Sequence, residues 1–379
     1  MLIVTFILFS IIVMLIVERQ MIQISLRHLS LRILVNGTRG KSSVTEYVAA
    51  GILQSQGRVM AKVTGIVPTI IHNGIRQVIS RYGVARVQEQ VNMINLARKK
   101  GVNNLVLECM SIAPELQRLE GSVFKPHIYV ITNIRDDHRE EMGVGIEEQA
   151  EAICNAIPVN CKVITSEKRF LDKIKEKADA NRSTVVPAVE LDSEFAEALP
   201  HGVFPENVAL ALTVCKEAGI GRSMAETGIM NWILNSESPL TVISCPGKTI
   251  RFLNAFSAND TDSTESILKY WQERTDYKGR ITVVFNTRSD RPVRTDLFSE
   301  WLGKKSQSID LIILTGTHTG RAKYHLLKSG VERSKIETWK RVWLNDFKTN
   351  LFNTACDGAM VIGVGNIAGD GFTILKRLK

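Results

Sequence analysis

The chain has 379 residues, with 48 Lys and Arg against 39 Asp and Glu, and a formal net charge of +9. That length exceeds what one hydrophobic core usually holds, so two globular domains are expected. The positive surplus suits an anionic partner: a nucleotide, a nucleic acid, an acidic polymer or an anionic lipid leaflet. The six cysteines show no C-x-x-C spacing, which argues against a zinc ribbon or a disulfide framework and fits a reduced compartment. Cys109 and Cys215 lie in apolar stretches and read as small buried hydrophobes.

Met1 to Val17, "MLIVTFILFSIIVMLIV", holds one weakly polar residue, Ser10, and no charge before Glu18. As a helix it would span roughly 26 Å, close to the thickness of a hydrocarbon core. A cleaved signal peptide would carry a basic stretch before such a run and a small-residue cleavage site after it; with neither, an uncleaved anchor is expected. Arg19, Arg27 and Arg32 follow the run, so the positive-inside rule places the rest of the chain in the cytoplasm. The expectation is a single-pass protein of the cell membrane with cytoplasmic catalytic domains.

From Arg32 onward short β-branched runs alternate with amphipathic segments. Strands are expected at 32–36, 104–109, 128–133, 162–166, 250–256, 281–286, 311–316 and 359–365. Val84, Val87, Val91, Ile94 and Ala97 recur at helical spacing between two of them. The pattern is that of an α/β protein with largely parallel sheets. "ESPLTVISCPGKT" (237–249) reads as a loop, so the domain boundary is expected near 245. The organisation is then an anchor at 1–17, a linker at 18–31, a central domain at 32–245 and a C-terminal domain at 246–379.

Gly40-Lys41-Ser42 has the form of the end of a phosphate loop, and Gly37 lets the backbone turn before it. In such a loop successive N–H groups face phosphate, the lysine neutralises it, and the serine hydroxyl can ligate Mg²⁺. The first glycine of G-x-x-x-x-G-K-[ST] would fall at Val35, so the strict motif is absent. A chance G-K-S at an ordinary helix start, capped by Ser42 or Ser43, is the alternative. Against it, the loop follows a β-rich run and opens the helical stretch "SSVTEYVAAGIL".

Asn36 to Ser42, "NGTRGKS", resembles the G-T-x-G-K-[ST] loop of the Mur ligase superfamily of ATP-dependent amide-forming enzymes. Glu108 closing "LVLEC", and Asn133, Asp137 and His138 in "TNIRDDH", are similar to that superfamily's later motifs, as is "FPENVALAL" with Asn207. "NAFSANDTDST" (254–264) sits where the ligases carry a D-D-Y-A-H-N-P loop, and "NTRSDRPVRT" (286–295) resembles their G-x-x-R-D-R segment. The resemblance implies a P-loop central domain with a parallel sheet and a C-terminal Rossmann-like α/β domain, preceded by one transmembrane helix. It further implies that Asn36, Gly37, Thr38, Arg39, Gly40, Lys41, Ser42, Ser43, Asn207 and Arg288 bind ATP. Ser42, Glu108 and His138 would hold Mg²⁺, and Lys41, Glu108 and His138 would be catalytic. Thr64, Gly65, Asn259, Asp260 and Arg291 would meet substrate, Thr64 and Gly65 together with Lys62 in a loop "AKVTGI" (61–66), for which an ordinary strand end is an equal reading. "GVGNIAG" (363–369) fits a dinucleotide fingerprint, but only ten residues follow it, too few for a ribose site.

Two departures narrow the family. Mur ligases carry a UDP-binding domain before the loop, where this sequence has the apolar run and a short linker, and Ile153 stands where they carry a lysine. The combination resembles the ligase subunits of poly-γ-glutamate synthases. That resemblance implies glutamate and the growing polyglutamate chain as substrates, small membrane subunits as partners, and leaves room for a homo-oligomer. Lys248, Arg251, Arg288, Arg291 and Arg294 would guide the anionic polymer. A folylpolyglutamate-synthase-like ligase and a nucleotide-dependent energiser of a membrane export complex are the alternatives. No nucleic acid is expected, because the basic residues are dispersed and not interleaved with aromatics.

Overall fold

The computed structural model describes residues 2–55, 57–64, 68–79, 86–136, 139–143, 145–200, 203–235, 240–256, 258, 260–340 and 347–378. The chain forms two compact units, Met1–Ser236 and Glu237–Lys379. The division falls before the boundary expected at 245. Leu240–Cys245 is a strand and pairs antiparallel with Lys248–Asn254, so a cut at 245 would split a hairpin. The turn is Pro246-Gly247, with Gly247 at φ +77° as the second position of a tight turn requires.

The first unit runs α1 (Leu2–His28), β1 (Leu31–Asn36), α2 (Lys41–Gln54), β2 (Val59–Val63), β3 (Thr69–His72), β4 (Ile75–Val78), α3 (Gln88–Lys99), β5 (Asn104–Glu108) and α4 (Pro114–Phe124). It continues with β6 (Ile128–Ile131), α5 (Arg139–Met142), α6 (Ile146–Cys154), β7 (Lys162–Thr165), α7 (Leu171–Ala180), β8 (Thr184–Pro187), α8 (Ser193–Ala198), α9 (Pro205–Glu217) and α10 (Arg222–Leu234). Its sheet has the order β4-β3-β2-β5-β1-β6-β7-β8, antiparallel only where β3 meets β2 and β4. The three central strands are buried on both faces, as a parallel sheet covered by helices demands. Leu34, Leu107 and Tyr129 point into one apolar cluster, and Ile33, Val35, Val106 and Val130 into the other.

The second unit runs β9 (Leu240–Cys245), β10 (Lys248–Asn254), α11 (Thr261–Arg274), β11 (Ile281–Thr287), α12 (Pro292–Lys304), β12 (Ile309–Gly316), α13 (Thr319–Lys328), β13 (Ile336–Thr338), α14 (Phe347–Thr354), β14 (Met360–Gly365) and α15 (Asp370–Leu378). Its order is β13-β12-β11-β14-β10-β9, parallel except for the β9–β10 hairpin.

The linker expected over 18–31 is helical as far as His28, a continuation of the apolar run. Helix α1 is long and apolar enough to cross a membrane, and none of its most apolar window is buried. A core helix of that composition would be covered. Beyond Val17 the helix changes role and docks on α3: Ser25 Oγ donates to Asn95 Oδ1 at 2.9 Å, and Gln88 Nε2 donates to Glu18 Oε1 at 3.4 Å. Leu26 and Leu29 are buried in the same cluster as Met93 and Ile94 of α3.

Leu107 is fully buried immediately before Glu108. Leu107→Ala is expected to lower the stability of the first unit by about 2–5 kcal/mol through the cavity it leaves, measured as a fall in the denaturant midpoint of that unit.

Candidate active site: a phosphate loop against a buried carboxylate

Three adjacent central strands, β5, β1 and β6, end side by side, and the segments leaving them build the site. In an open α/β sheet this is the edge where ligands bind. After β1 the chain turns at Gly37 (φ +118°) and again at Gly40 (φ +81°), which precedes α2. A Cβ on Gly37 would lie 2.3 Å from Thr132 Oγ1, and one on Gly40 would lie 2.5 Å from Asn207 Oδ1. Both glycines are therefore required by backbone conformation and by space. The first turn of α2 holds no acid, so its free N–H groups and the positive end of its dipole are unopposed.

The loop between the glycines is clamped from β6. Asn133 accepts from Arg39 N through Oδ1 at 3.1 Å and donates to Arg39 O through Nδ2 at 3.1 Å. Its carbonyl accepts from Thr38 N at 2.9 Å, and Thr38 Oγ1 accepts from Arg135 N at 3.1 Å. Lys41 Nζ donates to Gly37 O at 2.7 Å and Thr38 O at 3.4 Å, which holds the ammonium over the loop. Ser43 bonds to Tyr47, whose hydroxyl is pushed up to about 12 by burial.

Glu108 is almost fully buried. Its Oε2 accepts from Ser42 Oγ at 2.9 Å and from Thr64 N at 2.7 Å, so one oxygen ties the phosphate loop to the end of β2. Ser42 and Glu108 together present a hydroxyl and a carboxylate, the oxygen donors a hard divalent cation takes. Among the described residues no group of three or more His, Cys, Asp or Glu side chains stands ready for a metal. His138 lies outside the described residues, as do Asp137, Gly65 and Asn259.

Several expectations change role. Asn36 is buried, and its amide donates to Gln117 Oε1 at 2.8 Å and Tyr129 Oη at 2.7 Å, so its side chain forms the floor of the loop and is not free for a nucleotide. Ile153 is core, 1% exposed among apolar neighbours, and supplies no ligand. Lys248 and Arg251 bond to the carbonyls of Phe352 and Gly358 at the start of β10. The strand register sets Arg251 level with Ile281, so these two lie at the opposite end of the sheet from Arg288, roughly 20 Å away. The five cations expected to guide a polymer are not gathered together.

In the second unit Arg288 pairs with Asp290 at 2.9 and 2.5 Å. Burial pushes the Asp290 carboxyl up, but the Arg288 guanidinium outweighs it and holds the group below its usual value. Arg291 precedes the first turn of α12, and Arg294 Nη1 donates to Asn366 Oδ1 at 3.2 Å. Asn366 and Asn286 lock β14 to β11 by reciprocal bonds, Asn286 Nδ2 to Asn366 O at 2.5 Å and Asn366 Nδ2 to Asn286 O at 3.2 Å. The stretch "GVGNIAG" thus braces the arginine loop. Asp260 lies before α11 and accepts from Thr264 through its carbonyl.

Sequence reasoning missed a buried polar network beneath Glu108. Gln90 Nε2 donates to Glu108 O at 3.0 Å and to Glu120 Oε2 at 2.8 Å. Glu120, 1% exposed, accepts from Ser111 N at 2.8 Å, Met110 N at 3.3 Å and the Ser111 hydroxyl, and so fixes the chain that leaves β5. Lys62, fully buried, pairs with Glu89 at 2.9 Å and reaches Gln90 and Met110. The signal available was a polar residue on an apolar stripe: Gln90 shares a helical face with Ile94 and Ala97, and Glu120 with Phe124.

Both units match known proteins. Residues 35–196 match the Mur ligase middle domain, and residues 241–379 match the poly-gamma-glutamate synthase CapB C-terminal domain. The chain is 28% identical over 367 residues to the capsule biosynthesis protein CapB of Bacillus anthracis, covering 93% of this chain and 77% of that protein. It is 27% identical over 377 residues to the PGA synthase CapB of Bacillus subtilis strain 168, covering 96% and 94%. The chain is thus similar to CapB proteins over nearly its whole length, and its first unit to the middle domain of Mur ligases. The chain also shares its fold with the bifunctional folylpolyglutamate synthase/dihydrofolate synthase of Yersinia pestis, solved with AMPPNP and a Mn ion, at a TM-score of 0.71 and 15% identity over 95% of this chain and 92% of that one. The folylpolyglutamate synthase of Thermotoga maritima aligns at a TM-score of 0.62 and 16% identity, covering 95% and 93%.

Glu120→Ala would leave the Gln90, Met110 and Ser111 donors without their acceptor. It is expected to cost about 1–3 kcal/mol for each donor left unpaired, read as a lower denaturant midpoint, with ATP turnover falling alongside; an unmoved midpoint would show that the network is not what holds the strand end.

Proposed function

We propose that this chain is an ATP-dependent ligase that joins glutamate through γ-amide bonds into poly-γ-glutamate, working as a single-pass protein of the cell membrane with its catalytic units in the cytoplasm. The observation that carries the reading is the convergence of Lys41, Ser42 and Glu108 on one strand-end loop, in a chain similar over nearly its whole length to CapB proteins. The exposed apolar helix ahead of that loop supports the anchor.

The γ-carboxylate of the chain being extended attacks the γ-phosphorus of ATP. The bond to the bridging oxygen breaks, ADP leaves, and an acyl phosphate remains. The neutral amine of the next glutamate then attacks the acyl carbon; the C–O bond to phosphate breaks, phosphate leaves with one former carboxylate oxygen, and the amine proton passes to solvent.

Lys41 and the amides of the loop and of α2 hold the β- and γ-phosphates where negative charge develops. Asn133 keeps the loop shaped for them through its clamp on Arg39. Asn207, packed on Gly40, borders the nucleotide. Ser42 and Glu108 would hold the divalent cation, Mg²⁺, whose charge would neutralise phosphate oxygens. His138 is its third proposed ligand. Arg288 and Arg291 meet carboxylates of glutamate, for which a guanidinium fork is suited. Thr64, Gly65, Asn259 and Asp260 are the further residues proposed to contact substrate. The exposed stripe Met14, Val17, Met21 and Ile24 on α1 suits small membrane subunits of the same synthase.

Lys41→Ala is expected to lower glutamate-dependent ADP release by about two to three orders of magnitude and to abolish γ-linked product in membranes, with the unfolding midpoint unchanged. ADP release that persists in the variant, or that ignores glutamate in the parent chain, would overturn the assignment.

A further inference from the structure

The direction in which the anchor docks fixes which edge of the first unit faces the membrane. Glu18 meets Gln88 and Ser25 meets Asn95, so α1 and α3 run parallel, both leading away from the apolar span that ends at Val17. Helix α3 is part of the crossover from β2 to β5, which pair parallel, so it runs opposite to β5 and, through the β1–β5 pairing, opposite to β1. The chain therefore descends along α1 and returns along β1.

The two distances nearly cancel. From Glu18 to His28 the helix advances roughly 16 Å at its standard rise, and the strand from Leu31 to Asn36 climbs back roughly 17–20 Å. The phosphate loop at Gly37 is thereby brought to the level at which α1 leaves the span. The contacts of α3 agree independently. Its first turn, beside Glu18, carries Glu89 and Gln90, and these reach Lys62 and the Glu108 carbonyl. The basic residues at this level, Arg19 on α1 and Arg86 just before α3, are exposed.

We infer that the site edge of the first unit lies against the lipid surface, with the phosphate loop and Glu108 close to the headgroup plane and Arg19 and Arg86 on anionic headgroups. The ligase would thus make its product at the membrane face rather than hold its site out in the cytoplasm. This rests on the anchor reading above and goes beyond it, since a tethered enzyme could as readily present the opposite edge to the bilayer.

The test uses the full chain in vesicles of phosphatidylcholine and phosphatidylglycerol, with Cys245→Ser and Cys356→Ser removing the two cysteines that are not buried. A fluorescent label is placed singly through Val13→Cys, Arg86→Cys or Lys100→Cys, and quenched by nitroxide lipids. Positions 86 and 100 are separated by roughly 20 Å along the α3 direction. The inference expects headgroup nitroxide to quench the label at 86 several-fold more than the label at 100. Equal or reversed quenching, with position 13 still quenched by acyl-chain nitroxide, overturns the placement and leaves the anchor standing. An unquenched label at position 13 removes the anchor reading and the inference with it. Extending α1 by about 10 Å with a two-turn alanine insertion after Val17 is expected to relieve quenching at 86 but not at 13; quenching at 86 that survives it contradicts the inference.

Discussion

A carboxylate buried at the end of a central strand is costly unless donors hold it, and Glu108 is held from both sides. The Ser42 hydroxyl comes from the phosphate loop and the Thr64 N–H from the end of β2, and both meet the same oxygen. Behind them Gln90 and Glu120 fix the backbone that carries the carboxylate. The arrangement makes the loop after β1 and the strand end of β5 one rigid object, although 66 positions separate Ser42 from Glu108 in sequence. Catalysis by positioned charge needs that rigidity, because a donor that must first be reoriented gives back what it gains.

The same network reaches the N-terminal helix. Helix α3 touches α1 at one set of side chains and the Glu108 network at the adjacent set. Glu89 and Gln90 cannot be moved without disturbing Lys62, the one fully buried lysine in the described residues. Through this helix the part of α1 just beyond its apolar run and the candidate metal carboxylate share a few residues of contact.

Much of this was legible in the sequence, and for a physical reason. The eight expected strands all form, because a strand buried on both faces must be apolar throughout and so declares itself. Gly37 and Gly40 turn the backbone at positive φ, as only glycine does readily, and Ser42 stands against Glu108. The rest was hidden by context. Alternation in "LTVISC" was masked by the Pro-Gly turn beside it, which closes a hairpin where a linker was expected. The helix did not stop with the apolar run, because docking on α3 stabilises residues that propensity alone leaves open. Gln90 and Glu120 are polar residues on apolar stripes, and only the fold shows that they satisfy one another. Charge composition misled most: Lys248 and Arg251 serve backbone carbonyls at the far end of the second sheet.

A ligase of this kind passes the γ-phosphoryl group to a glutamate carboxylate and not to water. The decisive measurement supplies the full chain in its membranes with ATP and glutamate labelled with ¹⁸O in the γ-carboxylate, and follows the label into inorganic phosphate. One labelled oxygen is expected in the phosphate released with each amide bond. Phosphate labelled only when the water carries ¹⁸O would contradict it, and would make the site a nucleotide hydrolase built on a ligase frame.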